Sequence, residues 1–130
     1  MLKVLIADDE EKICQLIIKL IDWEEMGLTV AATASNGIEA LEQAEIYKPE
    51  IVITDIRMPG IDGMELIQKV KKSLPDTEII IISGYRHFEY AQTAIRYGVR
   101  NYLLKPIKKE ELKDTLQKIT DIYKERNEQL

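Results

Sequence analysis

The sequence predicts a single doubly wound α/β domain, and three observations predict it. Five short apolar runs rich in Ile, Val and Leu alternate with five longer segments of helical period. Glycine, proline, asparagine and aspartate collect at the joins. At 130 residues the chain is one domain's worth, enough to bury roughly two thirds of its extended surface around one core. Strict alternation of this kind implies a parallel sheet with right-handed crossovers and helices on both faces.

The strands read as Lys3 to Ala7, Thr29 to Ala34, Ile51 to Thr54, Ile79 to Ile82 and Tyr102 to Leu104. Several are apolar on both faces, as a parallel strand covered on both sides should be. Between them, Ile13, Leu16, Ile17, Leu20 and Ile21 support a first helix, and Ala40, Leu41, Ala44 and Tyr47 a second. Met64, Ile67, Val70 and Leu74 support a third. Phe88, Ala91, Ala94 and Ile95 support a fourth that stops at Gly98, and Leu112, Leu116, Ile119 and Tyr123 the last. Asn36-Gly37, Pro49, Pro59-Gly60, Asp62-Gly63 and Leu74-Pro75 mark the boundaries. The polar end, residues 125–130, reads as the end of the last helix or the start of a linker.

Composition bounds function. With 45% hydrophobic and 32% charged residues the chain has the make-up of an ordinary globular domain. Its net charge of −5, from 18 basic and 23 acidic residues, argues against a surface made for nucleic acid or anionic lipid. The amino terminus reaches Asp8-Asp9 too soon for a signal peptide, and no apolar run approaches the roughly 18 residues of a membrane span. The expected location is cytoplasmic. Cys14, the sole cysteine, sits in an apolar helical pattern and is expected to be buried rather than reactive.

In a parallel α/β sheet, whatever follows the strands gathers at their carboxyl edge, where ligands bind. Here that means Asp8 and Asp9, Asp55, Ser83 and Gly84, and Lys105 with Pro106. Each has an ordinary alternative: Asp8 or Asp9 as a helix cap, Asp55 in a turn, Ser83 on backbone groups, Lys105 in solvent. Together they are harder to dismiss, because clustered carboxylates repel one another unless a cation compensates them. Oxygen ligands suit Mg²⁺, while one Cys and one His make a zinc site improbable; His87 reads as an ordinary exposed residue. There is no nucleotide-binding glycine loop. Asp55 would suit a nucleophile that carries an acyl phosphate, with Lys105 and Ser83 contacting the phosphoryl oxygens.

Four segments then fall in register with a known family. ADDE, ITDIRMPGIDG, IIIISGY and NYLLKPI resemble the acidic pair, phosphoacceptor strand, switch-hydroxyl strand and switch aromatic-lysine-proline of bacterial two-component response regulator receiver domains. The likeness covers nearly the whole chain, with residues 1–124 as the receiver and 125–130 leading towards an effector domain absent from the sequence. It implies a flavodoxin-like (βα)5 fold with strand order 2-1-3-4-5. It implies a signalling domain rather than an enzyme, catalysing only its own phosphorylation and slow dephosphorylation, with Asp55 accepting the phosphoryl group of a sensor histidine kinase. Mg²⁺, or Mn²⁺ in its place, would be held by Asp9, Asp55 and the Arg57 backbone carbonyl, with Asp8 acting through bound water. The Lys105-Pro106 bond is cis in such domains. Ser83 and Tyr102 would be the switch that reshapes the surface of the fourth helix, fifth strand and last helix, although a half-buried Tyr102 with a solvated hydroxyl has the same sequence.

Arg57 and Tyr85 would crowd the path of attacking water and slow hydrolysis. Lys108 and Lys109 put positive charge at the positive end of the last helix, an unfavourable choice that weakens its start or makes a basic spot for a partner. The segments DWEEMGL and YRHFEYAQTAIRYG look most like receivers joined to AraC-type helix-turn-helix transcription factors. DNA would then be reached only through an effector domain, and a phosphorylation-dependent homodimer stays open. Two rivals remain at this level. One is an aspartyl-phosphate phosphohydrolase, which would want an acid two residues after the nucleophile where this chain has Arg57. The other is a receiver-like binding module that is not phosphorylated.

Overall fold

A computed structural model describes residues 1–84 and 88–128, so Tyr85 and His87 lie outside the described residues. The side chains of Phe88 and Ala91 lie outside them too. Five strands and five helices alternate within it: β1 (Leu2–Ala7), α1 (Glu11–Leu20), β2 (Leu28–Ala34), α2 (Gly37–Tyr47), β3 (Ile51–Thr54), α3 (Gly63–Ser73), β4 (Glu78–Ser83), α4 (Phe88–Arg96), β5 (Asn101–Leu104) and α5 (Lys109–Glu128). The strands pair in parallel in the order β2-β1-β3-β4-β5. β1 and β2 slip register between Val4 and Leu5, where Ala31 is the extra residue of β2.

Period-2 alternation divides the strand side chains between two cores. Val4, Ile6, Ile53, Ile80 and Ile82 face Cys14 and Ile17 of α1 and Leu112, Leu116 and Ile119 of α5. Leu5, Ala7, Val52, Ile79 and Ile81 face Ala40 and Ala44 of α2, Leu66, Ile67 and Val70 of α3 and Ala94 of α4. Helices on both faces are therefore the consequence of strands apolar on both faces. Among the described residues, three members of the expected stripes lie outward: Leu16 is 42% exposed, Ile95 77% and Tyr47 37%. Leu16 precedes and Ile95 follows a buried neighbour by one position, which turns each about 100° round the helix and away from the sheet, while Tyr47 stands at the last position of α2.

The punctuation residues work as expected. Asn36 caps α2 by accepting from the Glu39 N–H at 2.8 Å, and Asp62 caps α3 by accepting from the Glu65 N–H at 2.9 Å. The segment after α1 closes on itself: Trp23 Nε1 donates to the Ile18 carbonyl at 3.0 Å, and Gly27 takes the left-handed conformation, φ 74°. Glu110 and Glu111 occupy the first turn of α5 and offset the Lys109 charge there.

At the amino-terminal edge of the sheet a charged cluster ties α5 to the strands. Glu78, with a side chain only 5% exposed, meets Arg100 at 3.0 Å and Arg126 at 3.3 Å. The Tyr123 hydroxyl donates to the Asp76 carbonyl at 2.6 Å, and the Arg126 guanidinium lies 5.0 Å from the Tyr123 ring centroid. Among the described residues no helix is long and apolar enough to cross a membrane.

Candidate functional site: an acidic pocket at the carboxyl edge

Parallel pairing brings the ends of β1, β3, β4 and β5 side by side, and the residues beyond them line a cavity of about 270 Å³. Its walls are Asp9, Glu10, Asp55, Arg57, Gly84 and Lys105. Asp55 is delivered by β3, whose four residues are all buried, and its backbone N–H donates to the Ala7 carbonyl at 3.0 Å. The chain then leaves through Arg57 and Met58 towards Gly60, whose φ of 83° favours glycine. This turn leaves the Asp55 side chain at the carboxyl edge of the sheet.

Lys105 is the hinge of the electrostatics. Its ammonium lies 3.0 Å from Asp8 Oδ2 and 3.0 Å from Asp55 Oδ2, with Glu10 Oε1 at 3.8 Å. The Lys105–Pro106 bond is cis, as the resemblance implied. The other oxygens of the two buried aspartates are held by backbone: Asp8 Oδ1 accepts from the Glu10 N–H at 2.9 Å, and Asp55 Oδ1 from the Ile56 N–H at 2.6 Å. Asp8 is 2% exposed and Asp55 6%, whereas Asp9 is exposed. Burial raises the pKa of Asp8 above the usual carboxylate value, outweighing the Glu10 N–H and Lys105, which pull it down. Burial alone would lower the pKa of Lys105, but its hydrogen bonds to Asp8 and Asp55, with their charges, outweigh this and raise it. Both shifts follow from one ammonium serving two buried carboxylates.

Asp8, Asp9 and Glu10 bring ligand oxygens within 4.8 Å of one another. With Asp55 on the same wall this is an all-oxygen donor set, suited to a hard divalent cation. The nearby Cys14 is buried under Asp8, its thiol pointing to the Asp8 carbonyl at 3.8 Å, and so adds no soft ligand to the cavity wall. Ser83 is fully buried at the end of β4, and its carbonyl accepts the Lys105 N–H at 2.8 Å. Tyr102 is partly buried and packs against the α2/α3/α4 side of the core. Sequence reasoning missed Glu10: its signal was the third acid of the ADDE run, which reads as an ordinary helix start and in the structure also reaches Lys105. It also left Asp8 and Asp9 undivided as candidates for capping α1. Neither caps it in the usual way, since Glu10 occupies the N-cap without a side-chain bond and Asp8 binds the Glu10 N–H just before it.

A doubly wound α/β module with a carboxylate pocket at its carboxyl edge and a lysine bridging two of the acids is the class defined by this geometry. The chain belongs to the response regulator receiver domain family, which matches residues 4–117. It is 44% identical over 119 residues to the transcriptional regulatory protein YesN of Bacillus subtilis, covering 92% of this chain and 32% of that protein. It is 37% identical over 129 residues to the transcriptional regulatory protein HptR of Staphylococcus aureus, covering 99% of this chain and 50% of that protein. The chain therefore spans about a third to a half of the length of these curated relatives. Among solved structures, the receiver domain of AraT, a response regulator from Geobacillus stearothermophilus, superposes with a TM-score of 0.92 at 40% identity, covering 97% of this chain and 98% of that one. A two-component transcriptional regulator AraC from Clostridium phytofermentans gives 0.85 at 34% identity, covering 93% and 94%. The likeness to AraC-type regulators read from the sequence is borne out, as is the 2-1-3-4-5 fold.

Proposed function

We propose that this domain accepts a phosphoryl group on Asp55 from the phosphohistidine of a sensor histidine kinase and thereby controls an output, transcription by an attached DNA-binding effector. The observation that carries the reading is the Lys105 ammonium bridging Asp8 and Asp55 at 3.0 Å each beside a pocket that Asp9, Glu10 and Asp55 also line. A carboxylate oxygen of Asp55 forms the bond to phosphorus as the phosphorus–nitrogen bond of the donor breaks, the electron pair leaving on the imidazole nitrogen. Lys105, already beside Asp55 Oδ2, balances the charge on the transferred group, and the Ser83 hydroxyl, buried at the end of β4, would contact it after rearrangement.

Asp9, Asp55 and the Arg57 carbonyl would hold Mg²⁺ or Mn²⁺, with Asp8 acting through water, and the ion would supply neutralisation of the phosphoryl oxygens. Ser83 and Tyr102 then form the switch, altering the α4/β5/α5 surface, where a phosphorylation-dependent homodimer would form. Arg57 lines the pocket and slows attack by water; its suggested companion Tyr85 lies outside the described residues. Residues 125–130 would be the end of the last helix or the start of the linker to the effector, and the domain would work in the cytoplasm without touching nucleic acid or membrane itself.

Intact mass after incubation with Mg²⁺ and a small phosphodonor tests this reading. A stable gain of one phosphoryl group, abolished by Asp55→Asn and by chelation, supports it. Rapid multiple turnover of the donor would instead reveal a phosphohydrolase, and no reaction a binding module.

A further inference from the structure

Two glycines press the loop after Asp55 from either side, and one of them touches the residue that orients the carboxylate. Gly63 is buried at the first position of α3, and its N–H donates to the Ile56 carbonyl at 2.5 Å. A Cβ there would overlap the Asp55 carbonyl oxygen and crowd Ile56 Cα. The Asp55 carbonyl also accepts the Thr54 hydroxyl at 2.9 Å, which leaves it little room to move aside. On the other flank, the Gly37 N–H reaches the Pro59 carbonyl at 3.3 Å, and a Cβ at Gly37 would overlap the Ile61 carbonyl. The Ile56 N–H, in the peptide that Gly63 packs against, donates to Asp55 Oδ1 at 2.6 Å. With Oδ1 tied to the Ile56 amide, Oδ2 is the oxygen that meets Lys105.

We propose that Gly63 is a positioning residue for Asp55, fixing the Ile56 peptide so that its N–H holds Oδ1 and turns Oδ2 to Lys105, with Gly37 bracing the far end of the same loop. The proposal rests on the phosphoacceptor reading for its effect on rate, but not for its geometry. Gly63 needs no left-handed conformation; what it supplies is the absence of a side chain where helix and strand end meet. A methyl group at this point would push the Ile56 peptide away from the carboxylate, and a displacement on the scale of 1 Å in a reacting group costs up to about a hundredfold in rate.

The test pairs a variant with a measurement on the unaltered domain. In ¹³C,¹⁵N-labelled wild type, the Ile56 amide should show a through-hydrogen-bond scalar coupling to the Asp55 side-chain carboxyl carbon, and this coupling should vanish in Asp55→Ala. Gly63→Ala should stay folded, lose the coupling between the Ile56 amide and Asp55, and take up phosphate from a small donor at saturating Mg²⁺ about tenfold or more slowly. Leu116→Ala, destabilised on the opposite face of the sheet, should react within about twofold of wild type, separating positioning from loss of stability. Gly63→Ala reacting at the wild-type rate with the amide coupling intact overturns the proposal. If Gly63→Ala fails to fold, an Ile56 amide in wild type that shows no coupling to the Asp55 carboxyl carbon overturns it on its own. A wild type that shows the coupling but takes no phosphate overturns the phosphoacceptor reading and leaves the positioning role standing.

Discussion

Glu78 and Arg100 face each other across the amino-terminal ends of β4 and β5, joined by two side-chain hydrogen bonds of 3.1 Å. Both strands run on to the other edge of the sheet, where β4 ends in Ser83 and β5 leads into Lys105. A pair this far from the pocket should matter for stability alone. Arg100→Ala leaves a buried carboxylate beside the more distant Arg126; because both guanidinium groups are more than a third exposed, the expected loss is modest, about 1 kcal/mol by denaturant unfolding. Phosphate uptake should be unchanged.

Tyr123 carries a pH signature of the same region. Burial first, then the neighbouring acids Glu78, Glu50 and Asp76 against the opposing Arg126, pushes its pKa from 10.0 up to about 12. The folded state therefore keeps this proton more tightly than the unfolded state, so its contribution to stability falls as pH rises from about 10 towards 12. Tyr123→Phe should lose about 1 kcal/mol near neutral pH, and the gap to wild type should narrow across that window, as read by unfolding at several pH values.

Replacing Lys105 with methionine should move two observables in opposite directions. Divalent-cation binding should tighten by about fivefold, because roughly 1 kcal/mol of repulsion from the ammonium is removed, and the cation-induced rise in Tm should grow accordingly. Phosphorylation should slow by about a hundredfold, since a donor aimed at the transferring charge is gone. A calorimetric titration together with mass spectrometry checks both.

The Cys14 thiol is pushed up to about 11, by burial first and then by the charge of Asp8. Thiolate is the reactive form, so a thiol reagent at mildly alkaline pH should leave the folded domain unlabelled and modify it promptly in denaturant.

Much of this fold was legible because its signals are local and periodic. Ile51 to Thr54, apolar on both faces and bounded by Pro49 and Pro59, could hardly be other than a central strand. The pocket was legible for a topological reason: once the strands are parallel, Asp9, Asp55, Ser83 and Lys105 must share an edge. What stayed hidden depends on side-chain directions and long-range partners. Neighbours in sequence, Asp8 and Asp9 divide into a buried acid paired with Lys105 and an exposed one at the cavity wall, a split that strand geometry makes and composition does not reveal. Arg126 meets Glu78 across 48 residues of sequence, and no motif links them. Leu16 and Ile95 matched helical spacing yet lie outward, since a stripe read from hydrophobicity is wider than the surface the sheet can cover.

The charged cluster around Glu78 and the acidic pocket occupy opposite ends of β4, five residue steps apart, or about 16 Å at a strand's rise. Free-energy changes at sites so separated, with no shared partner, add within a few tenths of a kcal/mol. The domain is thus thermodynamically divisible: the edge where α5 leaves the sheet can gain or lose stability over generations while the chemistry at the other edge is left alone. Engineering can use the same freedom, setting the melting temperature at Glu78, Arg100 and Arg126 and the reactivity at Asp55 and Lys105 as two independent variables.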